Sequence, residues 1–120
     1  MARMLLIVEP LGQREERGVE GGQLAYQQML DFTGDLRRAG VPMACSSLAA
    51  AATRLQRAPG ATARVLDGPF ADIKVMIEGL FLLDVAGKDQ ALAWTARCPA
   101  AARATVEVRE TGPCILNGQG

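Results

Sequence analysis

No histidine occurs anywhere in the 120 residues, and this absence excludes more chemistry than any other feature of the chain. Without an imidazole there is no Ser-His-Asp or Cys-His nucleophile, no His-ligated zinc and no haem on a proximal histidine. Cysteine is scarce as well. Cys45, Cys98 and Cys114 are odd in number and lack Cys-x-x-Cys spacing, which argues against a disulfide framework and against a thiolate zinc site. They read as buried or bystander thiols. An excess of either charge is also missing, because 13 Lys+Arg balance 13 Asp+Glu and the sequence pI is about 6.2. No nucleic-acid partner is therefore expected. Apolar runs are short: none approaches the ~18 residues of a membrane span. The segment Met1–Glu9 is too short for a signal-peptide core and closes on Pro10. The expectation is a cytoplasmic chain with no membrane partner, no metal and no cofactor, whose chemistry rests on carboxylates, Lys, Tyr, Ser or Cys.

What is present is apolar enough for one core: 49% of residues are hydrophobic and 22% charged, and the length suits a single domain over residues 1–116 with a polar tail at 117–120. Met4–Val8 is continuously apolar, the pattern of a central strand buried on both faces. From Gln23 to Ala39 the period becomes helical, with Ala25, Met29, Phe32, Leu36 and Ala39 on one face. Arg37 and Arg38 suit the negative end of that helix, and Gly40 suits its C′ position. Met43–Leu48 and Thr62–Asp67 are extended runs, joined by Ala49–Gly60, whose alanines allow a helical turn. Gly79–Val85 is a further strand apolar on both faces. Lys88–Cys98 is a second helix stopped by Pro99, and Ala104–Arg109 alternates as a last strand.

The order predicts an α+β, ferredoxin-like βαββαβ subunit: an antiparallel sheet with both helices on one face, provided that the third and fourth extended runs extend one sheet. Two helices cover only one face of such a sheet. The apolar residues on the other face call for a cover, and a second copy in a homodimer is the simplest one. The competing reading is a monomer in which Ala49–Gly60 or Glu9–Gly22 folds across that face.

The most distinctive local sequence is Asp67-Gly68-Pro69-Phe70 directly after a strand, which physically is a turn with Asp67 as its cap. Leu66–Asp72 with Lys74 and Gly79, Leu5–Pro10, Phe32–Gly40, Ala91–Trp94 with Arg97–Pro99, and Val106–Arg109 together resemble the DGPF group of YCII-related proteins over nearly the whole chain. The resemblance implies a subunit that pairs into a dimeric α/β barrel, with a pocket between the first helix, the inner sheet and the Asp-Gly-Pro-Phe loop. It implies no settled activity, and it brings association with extracytoplasmic-function sigma factors as an expected partnership. This chain also departs from the family pattern. Met29 stands where relatives carry Tyr or the His of a His-Asp pair. Cys45-Ser46-Ser47 replaces a Gly-Glu pair and a small residue, and Asp72–Val75 and Glu78 differ from the usual Ala-Glu-Thr-Lys-Glu and paired glycines. A pocket lined by these positions is less acidic and more apolar than in relatives.

Asp67 is a candidate general acid or base against a plain turn cap, and Lys74 a candidate anion-orienting or nucleophilic group against a solvated lysine. Glu9 and Glu78 fall at strand ends, placed to meet a ligand or to pair with an arginine such as Arg64. Tyr26, Met29, Ser46 and Phe70 are the remaining candidates for a ligand pocket. Two functions stay open. One is a small-molecule-binding protein with a sensing or sigma-factor accessory role. The other is a metal-free lyase, isomerase or cyclase acting on an apolar small molecule.

Overall fold

A computed structural model describes residues 2–68 and 74–112 of the chain. Phe70, Cys114 and the 117–120 tail lie outside these described residues. In chain order the elements are β1 (Arg3–Pro10), α1 (Gln13–Ala39), β2 (Pro42–Ser47), β3 (Thr53–Gln56), β4 (Arg64–Asp67), β5 (Val75–Leu83), α2 (Lys88–Arg97), a 3₁₀ turn (Pro99–Ala102) and β6 (Thr105–Glu110). Four strands form one antiparallel sheet in the order β2-β5-β1-β6. With the two helices on one face, this is the ferredoxin-like βαββαβ topology.

The pleat explains which face the helices cover. Leu5 and Ile7 of β1, and Phe81 and Leu83 of β5, alternate onto one side and are buried with Phe32 and Leu36 of α1 and Ala91 of α2. Phe32 meets the edges of Phe81 at 5.5 Å and of Trp94 at 6.3 Å between ring centroids, so one α1 side chain ties the sheet to α2. The opposite parity, Met4, Leu6 and Val8 of β1 with Leu80 and Leu82 of β5, faces away from the helices and is half-buried. The molecule is 18 Å thin along its shortest axis, room for one sheet and one helical layer.

Three expectations need correcting. The third extended run does not extend the main sheet: Arg64–Asp67 pairs with Thr53–Gln56 in a separate two-stranded ribbon. The connection read as a possible helical turn therefore supplies strand β3. Thr53, Leu55, Val65 and Asp67 share one face of this ribbon by register, and Leu55 and Val65 stand 67% and 61% exposed, so it does not cover the open sheet face. The first helix also begins ten residues earlier than its apolar period, at Gln13. Gly18, at φ 69° and ψ −176°, interrupts it with a conformation that favours glycine. The segment before this break is polar and carries Arg14 and Arg17 toward the end of β1, whereas the apolar stripe starts after it.

Candidate functional site

Between Ile7 and Val8 the register of β1 against β5 shifts: Ile7 faces Gly79, but Val8 faces Ile77. Glu78 is the extra residue of this β-bulge. By strict alternation from Gly79 it would belong to the open face; the bulge re-aims it toward the helical side, where it borders a cavity with α1. Gly79 beside it lets the edge strand approach, since a Cβ there would lie 2.9 Å from the Ser46 carbonyl oxygen. The Leu48 N–H then donates to the Glu78 carbonyl at 2.7 Å.

Glu9 ends the inward row of β1 and is 0% exposed. Its two oxygens are taken by two guanidiniums: Arg14 Nε donates to Oε1 at 2.9 Å and Arg17 Nη2 to Oε2 at 3.1 Å. Arg14 also donates through Nη2 to the Leu48 carbonyl at 2.7 Å and, at 3.4 Å, to that of Glu78. Burial pushes the Glu9 carboxyl up, but a hydrogen bond from Glu78 and the charges of Arg14 and Arg17 outweigh it and hold the group below its ordinary value. Glu78 takes the opposite course. Desolvation first, then the hydrogen bond to Glu9 and the Glu9 charge, push its pKa up to about 7. Two adjoining carboxyls thus hold one proton between them, and Glu78 carries it. Glu78 Oε2 is buried with no hydrogen-bond partner among the described residues.

The cavity that Glu78 borders has a volume of about 340 Å³, within the range of small-molecule sites. Four of the residues singled out from sequence, Tyr26, Met29, Ser46 and Glu78, border it; Glu9, hydrogen-bonded to Glu78, does not. Tyr26 is largely exposed at its rim, at 68%. Ser46 pairs with Leu80 on the open-face parity, so Cys45, opposite Phe81, and Ser47, opposite Gly79, are the inward positions of β2. Asp67 and Lys74 are not brought into it. The Asp67 carboxylate accepts the Thr53 hydroxyl at 2.6 Å across the β3–β4 ribbon. Lys74 is exposed, and its carbonyl accepts the Leu11 N–H at 2.9 Å. Phe70 lies outside the described residues. A larger hollow of about 840 Å³ opens beside the ribbon, and it is this one that Glu9 borders, together with Arg14, Leu11, Ala52, Gly68 and Ile77 among others.

The arginines of the site were missed from sequence. Glu9 was expected to meet an arginine such as Arg64, but Arg64 is on the ribbon and Arg14 and Arg17 take the role. Their three-residue spacing is the signal that could have found them, once a helix is allowed to start at Gln13. Arg103, which follows the 3₁₀ turn, also borders the cavity. Among the described residues no group of three or more His, Cys, Asp or Glu side chains is placed to hold a metal ion, and no helix is long and apolar enough to cross a membrane.

A model of the YCII-related domain family matches residues 6–114 of the chain. No curated protein sequence matches it.

Proposed function

Because the chain belongs to the YCII-related family, we propose that it is a small-molecule-binding protein whose site is the cavity between α1 and the β2–β5 edge of the sheet. The observation that carries this reading is Glu78, turned inward by the bulge and left with a buried oxygen that nothing in the described chain satisfies. An unpaired buried polar atom costs about 1–3 kcal/mol. A ligand that pairs with it recovers that cost, and Ile7, Met29 and Phe81 offer its body an apolar wall. In this reading the protein is a cytoplasmic sensing or accessory component, with a sigma factor as its expected protein partner. Two copies pair through the open sheet faces into a dimeric α/β barrel.

One observation favours a second reading. A carboxyl that titrates at about 7 is suited to general acid–base work at neutral pH, which supports a metal-free lyase, isomerase or cyclase with Glu78 as proton carrier and Tyr26 at the rim. Native mass spectrometry of freshly purified protein tests the binding role. One small molecule retained per subunit is expected, and Met29→Trp, which fills the cavity, should lose it. An adduct that this folded variant retains in full places the ligand elsewhere and overturns the reading.

A further inference from the structure

Resting on the reading of the α1–β2 cavity as a small-molecule site, we propose that its ligand is an amphiphilic organic anion, a carboxylate whose charged end sits between Arg103 and Glu78. Its apolar body lies along Met29, Leu30 and Phe81, which border the same cavity.

The charge balance of the walls leads there. Arg14 and Arg17 both pair with Glu9, so that trio keeps one net positive charge. Arg103 adds another and forms no ion pair among the described residues. Its Nη1 reaches only neutral oxygens, Gln28 Oε1 and the Pro99 carbonyl, each at 3.4 Å, and its Nε is buried with no partner. Among the described residues that border the cavity Glu78 is the acid left to oppose them, and burial and the neighbouring Glu9 keep it mostly protonated below about pH 7. A neutral ligand leaves this positive charge uncompensated, a cationic ligand adds to it, and an anion balances it.

The two unpartnered atoms fit the same ligand. Arg103 Nε is an N–H donor waiting for an acceptor. Glu78 Oε2 can take the carboxyl proton and donate it to a ligand oxygen. Glu9 then keeps Arg14 on one oxygen and Arg17 on the other. The charged and titratable groups around Glu78 are Glu9 from β1, Arg14 and Arg17 from α1 and the Cys98 thiol, and Arg103 borders the same cavity. Of these, only Glu78 changes charge near neutrality in the direction that matters: once ionised, it repels a carboxylate.

Calorimetric titration with octanoate, octanamide and octylamine, alongside displacement of the uncharged dye Nile red, tests the assignment. At about pH 6 octanoate should bind about tenfold or more tighter than octanamide, and its affinity should fall about tenfold by about pH 9. Glu78→Gln should flatten that pH dependence. Arg103→Gln should bring octanoate down toward octanamide, while Arg103→Lys, which keeps the charge, should retain part of the preference. Octanamide or octylamine binding as tightly as octanoate overturns the anionic assignment while leaving the cavity a ligand site. If none of the three binds or displaces the dye, both readings fall.

Discussion

Glu9 and Glu78 have the same side chain, are adjacent in space, and are driven to opposite ionisation by what surrounds them. Glu9 is held ionised by two guanidiniums, and Glu78 is held protonated by burial and by Glu9 itself. The consequence for stability has a definite sign. An unfolded Glu78 titrates near 4.5 and the folded one near 7, so the folded chain binds the extra proton between these values. The stability due to Glu78 is complete below about 4.5 and is lost as pH rises through about 7. Glu9 behaves the other way: its contribution is present above the ordinary glutamate value and is lost as pH falls through its lowered one. Denaturant melts should therefore show the protein less stable at about pH 8 than at about pH 5, by up to about 3 kcal/mol. Glu78→Gln should remove most of that difference, and an unchanged slope in the variant would assign the titration to another group. Both glutamates were legible as candidates, Glu9 at the end of β1 and Glu78 next to the apolar run that begins at Gly79, although the strand reaches back to Val75 and holds Glu78 inside it. Their division of labour was not, because it depends on Arg14 and Arg17, which local sequence does not connect to them.

The elements that build the site were read unevenly, for a physical reason. Strands β1 and β5 were legible as continuously apolar runs, β6 by its alternation and α2 by the Pro99 that stops it, although β5 begins at Val75, before the run Gly79–Val85 that marked it. The first turns of α1, before Gly18, bury little; they are held by polar contacts such as Arg14 and Arg17 to Glu9 and Gln13 Nε2 to the Arg103 carbonyl at 2.6 Å. No apolar period marks such a segment. The bulge at Glu78 was equally hidden, since it is a property of two strands in register and neither strand declares it alone. Gly79 holds the geometry open beside it. Gly79→Ala should push its Cβ against the Ser46 carbonyl, where the contact is with backbone and cannot swing aside. The expected result is a loss of about 1–3 kcal/mol together with faster amide exchange at Leu48, whose N–H binds the Glu78 carbonyl. A variant as stable as the parent, with Leu48 equally protected, would mean that β2 does not need this close approach.

At the scale of the whole molecule, the open sheet face is the surface that the proposed dimer would use. Met4, Leu6, Val8, Leu80 and Leu82 form an apolar surface with no helix over it among the described residues, and an association that buries several hundred Å² there gains about 25 cal/mol per Å² before the entropic costs of pairing. Sedimentation at low micromolar concentration is expected to give one dimeric species, and Leu6→Glu to give monomers. A parent chain that stays monomeric and folded under those conditions overturns the dimeric barrel. The class of fold, the central strands, the helical face around Phe32 and the membership signalled by Asp67–Phe70 could all be read directly from the sequence, because each depends on local period or on a contiguous motif. The partner of that motif's aspartate could not: Asp67, read as a turn cap or as a general acid or base, accepts the Thr53 hydroxyl across the β3–β4 ribbon. Likewise, the partnership of Glu9 with Arg14 and Arg17 and the inward turn of Glu78 arise only when β1, β5 and α1 converge. Hydrophobic period records how much of a residue is buried, whereas the chemistry of this site depends on which charges are buried together, and only the tertiary structure decides that.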